Sequence, residues 1–215
     1  MRSKLLIFDL DGTLADTIYT IRDAVNMCME HYGFPTFDYL QVRANVGNGV
    51  TVLMKKSLPK EIATDEERFP SILEYFRGCY RLTHDKIDGC YDGLYDVVME
   101  LKNRGYSLAV LSNKPDALVK SIIDKLFPKE TFSFVAGQTE FPVKPDPTVP
   151  TMIANELGVR LEECCFIGDS EVDVLTAKNS GMTSVAVSWG FRDRAAIIDA
   201  DVIIDEPTQL LTLFE

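Results

Sequence analysis

The sequence predicts an α/β protein: a doubly wound parallel sheet with an α-helical domain inserted near its start. Three observations lead there. Short apolar runs bounded by turn residues recur along the chain, amphipathic helical stretches separate most of them, and the long interval after the first run holds helical patterns without a convincing strand.

The first run, LLIF (5–8), is apolar at every position. Strict alternation marks a sheet with one wet face, whereas unbroken apolar character suits a parallel strand covered on both faces. SLAVLS (107–112), FSFVAG (132–137), CCFIG (164–168), TSVAVS (183–188) and the shorter DVII (201–204) continue the series. Between them, YDGLYDVVMELKNRG (91–105), DALVKSIIDKLF (116–127) and PTVPTMIANELG (147–158) space their apolar residues as crossover helices do. From about residue 16 to 85 the patterns are helical only, as in TIRDAVNMCMEHYG (20–33) and ERFPSILEYFRGCYRL (67–82). The expected division is a core domain of residues 1–15 and 86–215 and a helical domain of residues 16–85. Hinges are expected near Ala15–Thr17 and Lys86–Gly89, the second within KIDGCYDG (86–93).

A chain of 215 residues, 46% hydrophobic and 26% charged, has the composition of an ordered globule. A formal net charge of −11 argues against nucleic acid or an anionic membrane surface as partner. An anionic substrate must then be held by local cations. Five cysteines, an odd set with no framework spacing, point to a reducing cytoplasm. The apolar run near the N-terminus is too short for a secretory leader, and no segment approaches the roughly 18 apolar residues of a membrane span. A soluble cytoplasmic protein, monomer or weak homodimer, is the expectation.

Ligands of an open parallel sheet bind beyond the carboxyl ends of its strands. The first strand here ends in Asp9 and Asp11, the second in Ser112-Asn113-Lys114, the third leads to VKPDP with Lys144, and the fourth ends in GDSEVD with Asp169 and Asp173. Carboxylates gathered this closely need a hard divalent cation among them. Mg²⁺ fits, taking a few carboxylates and completing its shell with water and phosphate oxygens. Lys144 adds positive charge and Ser112 a hydroxyl donor, so the expected ligand is a phosphoryl group. Two neighbouring acids then have separate tasks, one attacking phosphorus and the other moving the proton.

In this order, DLDGTLADT, LSNK, VKPDP and GDSEVDVLTAKNSGM resemble the four-part signature of the haloacid dehalogenase (HAD) superfamily. The helical insertion resembles its C1 cap. VSWGFRD (187–193) and NVGNGV (45–50) are similar to the phosphoglycolate phosphatase branch. The resemblance implies a HAD-like core under an α-helical cap, with Asp9 as the nucleophile and Asp11 as general acid and base whose carbonyl reaches the metal. It also implies that Thr13, Ser112 and Asn113 lie against the phosphoryl oxygens, that Lys144 neutralises phosphate and nucleophile, and that Asp169 ligates Mg²⁺. Asp173 would ligate through water or support the site, or else complement the dipole of its helix. Dehalogenases of the superfamily lack the second Asp of the first motif, which is present here as Asp11. The β-phosphoglucomutase branch has DGVI and a cap His where this chain has DGTL and Ile21.

Competing readings are mostly weaker. As a calcium loop starting at Asp9, the sequence has Leu14 where Gly belongs and Thr20 where Glu belongs. VGNGV lacks the third Gly of a dinucleotide turn. It is either an ordinary loop or one whose Gly47 and Gly49 let backbone amides approach an anion. Arg43 and Arg77 are candidates for a substrate carboxylate, while Trp189, Cys164 and Cys165 read as packing. The expected activity is Mg²⁺-dependent hydrolysis of a small anionic phosphate ester, with 2-phosphoglycolate first. Pyrophosphatase, nucleotidase or mutase activity on the same site, and a non-catalytic regulatory module, are the alternatives.

Overall fold

The computed structural model describes residues 3–84, 86–87 and 89–215. β1 (Leu5–Phe8) is followed by five helices: α1 (Ile18–His31), α2 (Tyr39–Asn45), α3 (Gly49–Ser57), α4 (Lys60–Ala63) and α5 (Arg68–Thr83). Then come α6 (Leu94–Asn103), β2 (Ser107–Pro115), α7 (Asp116–Leu126), β3 (Phe134–Gln138), α8 (Thr148–Glu156), β4 (Cys164–Gly168), α9 (Glu171–Ser180), β5 (Thr183–Val187), β6 (Val202–Ile204) and α10 (Gln209–Leu213).

Among the described residues, the six strands form one sheet in the order β3-β2-β1-β4-β5-β6, every pairing parallel. The chain lays β2 and β3 outward on one side of β1, then crosses to the other side for β4, β5 and β6. Strand order therefore reverses between β1 and β4, where a doubly wound sheet opens its crevice. The apolar runs follow from burial on two faces. Leu6 and Phe8 of β1 pack with α6, α7 and α10 on one side. Leu5 and Ile7 pack with α8 and α9 on the other.

Helices α1 to α5 have a hydrophobic cluster of their own, joined by Leu118 of α7 and by Phe191 of the loop after β5. In α1 the buried residues Ile18, Ile21, Val25, Cys28 and Met29 recur at helical spacing and face a matching stripe on α5. The chain leaves β1 and returns towards α6 side by side, with Ala15 bridged to Cys90. Asp88, within the expected return hinge, and Asp85, at the end of the expected helical domain, lie outside the described residues. Among the described residues no helix is long and apolar enough to cross a membrane.

Candidate active site

Four strand ends build one cleft. Beyond β1 the Asp9 amide donates to Ile167 O at 2.9 Å, keeping Asp9 in line with the strand. The chain then folds tightly on itself: the Thr13, Leu14 and Ala15 amides all donate to Leu10 O, and Gly12 supplies the positive φ (+88°) that the turn requires. This loop presents Asp9 and Asp11 to the cleft. Ser112, Asn113 and Lys114 lie on the last turn of β2, Lys144 on the loop after β3, and Asp169 and Ser170 at the end of β4. The cleft encloses about 580 Å³, part of it open to solvent. Its far wall comes from the helices and the loop after β5, with Ile21, Val46, Val50, Leu53 and Phe191 giving it an apolar character.

Asp9, Asp169 and Asp173 are all buried, and each offers a ligand oxygen within 4.8 Å of the others. Lys144 Nζ donates to Asp9 Oδ1 and to Asp173 Oδ1, each at 2.7 Å. Burial alone would lower the affinity of this ammonium for its proton, but Asp173 and Asp9 outweigh it and hold the pKa above its usual value. Asp9 is pushed up to about 7, chiefly by burial, with Asp173 adding to the effect and Lys144 opposing it. Asp169 is held well above the usual carboxylate range by burial and by the nearby charges of Asp173 and Asp9. Its contacts are Thr13 Oγ1 at 3.4 Å and the Phe191 amide at 2.6 Å, both neutral donors. Lys144 bonds Asp9 and Asp173, while Asp169 has, among the described residues, only the more distant charge of Arg192 to lower it, so the cluster keeps an excess of negative charge. A buried all-oxygen donor set of this kind fits a hard divalent cation such as Mg²⁺.

Asp173 is fixed by the first turn of α9. Ser170 caps the helix in a reciprocal box, in which the Asp173 side chain accepts from the Ser170 amide while its own amide is directed at Ser170. Asn113 is already engaged: its Nδ2 donates to Gly47 O at 3.0 Å and Lys144 O at 3.1 Å, and its Oδ1 accepts from the Lys144 amide at 2.9 Å. Its side chain thus sets the position of two loops. Gly47 and Gly49 line the cleft, whereas Thr13 turns its hydroxyl towards Asp169 and is not part of the wall. Neither Arg43 nor Arg77 lines the cleft. Arg43 Nε donates to Phe191 O, and Arg77 pairs with Glu74 at 3.2 Å on the exposed side of α5.

The sequence profile of the haloacid dehalogenase-like hydrolases matches residues 6–187. The chain belongs to that family. This haloacid dehalogenase-like hydrolase is 31% identical over 214 residues to phosphoglycolate phosphatase 1 of Pseudomonas aeruginosa, a match spanning 97% of this chain and 78% of the relative. It is 31% identical over 215 residues to phosphoglycolate phosphatase of Vibrio cholerae, spanning 97% and 95%. Among solved structures, a predicted phosphoglycolate phosphatase of Haemophilus somnus superimposes with a TM-score of 0.91 at 25% identity, covering 100% of this chain and 99% of that one.

Several residues of this family member gain roles that its sequence did not signal. Lys114 pairs with Asp11 at 2.9 Å and meets Tyr80 from α5. Trp189 Nε1 donates to Thr13 O at 3.2 Å, so the residue expected only to pack also pins the loop after β1. Arg192 reaches across to the helices, donating to Arg43 O at 2.7 Å and to Val46 O. The only available signal was position: Lys114 stands at the end of β2, which flanks β1, and Trp189 and Arg192 follow β5, which flanks β4.

Proposed function

We propose that the protein is a Mg²⁺-dependent phosphatase that hydrolyses a small anionic phosphate monoester through a phosphorylated Asp9. 2-Phosphoglycolate leads the candidates, supported by the names of its relatives. The observation that carries the reading is the meeting of Asp9, Asp169 and Asp173 within 4.8 Å of one another, with Lys144 bonded to Asp9 and Asp173. Asp9, Asp169 and Asp173, with the backbone carbonyl of Asp11, would hold Mg²⁺, which supplies charge neutralisation and a fixed place for a phosphoryl oxygen.

The residues of the chain divide the remaining work. Lys144 holds Asp9 by Oδ1, leaving Oδ2 to attack phosphorus as the bond to the leaving oxygen breaks. Asp11 gives its proton to that oxygen and the alcohol departs. Asp11 then takes a proton from water, the hydroxide attacks the phosphoryl group, and Asp9 is restored as inorganic phosphate leaves. Ser112, lining the cleft beside Lys144, donates to a phosphoryl oxygen, and Gly47 and Gly49 bring backbone amides towards the rest of the anion. In this reading residues 16–85 are a cap over a core of residues 1–15 and 86–215. The side-by-side crossing at Ala15 and Cys90 supports a hinge there.

The test is phosphate release with Mg²⁺ from 2-phosphoglycolate, a nucleoside monophosphate, pyrophosphate and a sugar phosphate, ranked by kcat/KM. The expected result is turnover highest on 2-phosphoglycolate and abolished by a chelator. Folded, Mg²⁺-supplied protein that releases phosphate from none of them would rule the reading out.

A further inference from the structure

The cleft contains a second buried ion pair that the steps above leave without a task. Lys114 has none of its side chain exposed. Its Nζ donates to Asp11 Oδ1 at 2.9 Å and to the Tyr80 hydroxyl at 2.5 Å, and lies 4.5 Å from the centre of the Tyr80 ring. Tyr80 is itself buried and belongs to α5, in the helical layer, while Asp11 and Lys114 belong to the sheet domain. The three side chains therefore link the two layers directly at the carboxylate that moves the proton.

A buried ammonium is a costly filler. An apolar chain of similar volume would occupy the site without the desolvation penalty, so the pairing calls for a reason beyond packing. The atoms supply one. Thr17 Oγ1 also donates to Asp11 Oδ1, at 2.6 Å, so two donors from different directions converge on a single oxygen. Rotation of the carboxyl group is fixed by that convergence, and Oδ2 is left as the oxygen that carries the transferable proton. Tyr80 in turn holds Lys114 through both its hydroxyl and its ring face.

Resting on the reading of Asp11 as the proton-transferring group, we propose that Lys114 is the positioning residue for Asp11 and that Tyr80 is its hold on the helical layer. Acid catalysis is then set up only while α5 lies against the end of β2. The consequence is specific to leaving groups. An alkyl phosphate needs a proton on its departing oxygen, whereas 4-nitrophenyl phosphate releases a stable phenolate without one. For an enzyme with a covalent intermediate, kcat/KM reports the steps up to departure of the leaving group, so it isolates this half of the reaction.

The experiment compares kcat/KM on 2-phosphoglycolate and on 4-nitrophenyl phosphate for wild type, Lys114→Met and Tyr80→Phe, each with Mg²⁺. General acid catalysis contributes about 100-fold or more, so Lys114→Met should lose about 100-fold on the alkyl ester and less than about 5-fold on the nitrophenyl ester. Tyr80→Phe keeps the ring and should show the same asymmetry with a loss nearer about 10-fold. If Lys114→Met does not fold, Tyr80→Phe decides alone. Equal losses on both esters, or none on either, would overturn the inference while leaving the phosphatase reading intact. Wild-type protein inactive on both would remove the two together.

Discussion

Asp9 and Asp11 stand one residue apart yet answer to different cations, Asp9 to Lys144 at 2.7 Å and Asp11 to Lys114 at 2.9 Å. In the proposed mechanism, that separation lets one carboxylate remain a nucleophile while its neighbour handles a proton. Asp9→Asn keeps the shape but replaces the attacking oxygen's charge with a neutral amide, and turnover should fall by at least about a thousandfold in a phosphate-release assay. Undiminished turnover would exclude attack by Asp9. Close packing around Asp169 gives a second expectation. A Cβ on Gly190 would lie 2.2 Å from Asp169 Cβ and 2.3 Å from Gly12 O, neither of which has room to yield, whereas a Cβ on Gly89 would meet nothing within 4 Å. Gly190→Ala should therefore destabilise by about 1–3 kcal/mol and depress activity, with Gly89→Ala within about 0.5 kcal/mol of wild type in denaturant melts. Asp9, Asp11 and Asp169 were legible in the sequence because each follows an apolar run, whereas Asp173, in the first turn of α9, could as well have served the helix dipole. Lys114 and Tyr80 were not, since a lysine beside a strand end and a tyrosine in a helical stripe look the same whether they pack or meet at Asp11.

The strands were read nearly to the residue, because burial on both faces leaves an unbroken apolar run that nothing else in the chain imitates. β4 has the expected bounds, 164–168, and β2 runs on to Pro115, beyond the expected Ser112, because Ser112, Asn113 and Lys114 extend as the wall of the cleft. The interval holding the short helices α2, α3 and α4 was read as helical, but each carried too few turns for a periodic signal to mark its bounds. One tie between elements has a pH signature. Asp201 Oδ2 accepts from the Ser184 amide at 2.8 Å and its hydroxyl at 2.6 Å, joining the start of β5 to the approach to β6. These bonds hold the Asp201 carboxyl below its ordinary value of 3.8. A depressed carboxyl stabilises the fold above the unfolded value and loses that contribution as pH falls through the folded one. Asp201→Asn should therefore be less stable than wild type near neutrality, and the gap should close as the pH drops below 3.8. Urea midpoints across that range measure it, and a gap that persists in acid would assign the effect to geometry instead of charge.

At the scale of the whole molecule, a chain of net charge −11 has gathered three carboxylates beyond the ends of its central strands, two of them bonded to the ammonium of Lys144. The strands and the long helices were visible in the sequence because each has its own apolar pattern. How the helices lie over the strand ends was not, since that contact rests on Leu118, Phe191 and a few polar bridges that no periodicity announces. Crowded carboxylates make folding and metal binding one linked equilibrium. The burial and the mutual repulsion that raise Asp169 and Asp9 burden the metal-free fold, and a cation that binds only the folded state relieves both. At Mg²⁺ near a hundred times its dissociation constant the stabilisation is about 2.7 kcal/mol, or a rise in Tm of roughly 5–10 °C for a domain of this size. Asp169→Asn separates the two effects. Its amide oxygen can still accept from the Phe191 amide and its NH₂ can face Thr13 Oγ1, so the packing is kept while one buried charge is removed. Thermal melts with Mg²⁺ and with a chelator should show the variant more stable than wild type without metal and unresponsive when metal is added. A variant that still gains several degrees from Mg²⁺ would place the ion elsewhere, and one less stable than wild type in chelator would mean that Asp169 holds the strand ends together by its hydrogen bonds more than it strains them by its charge.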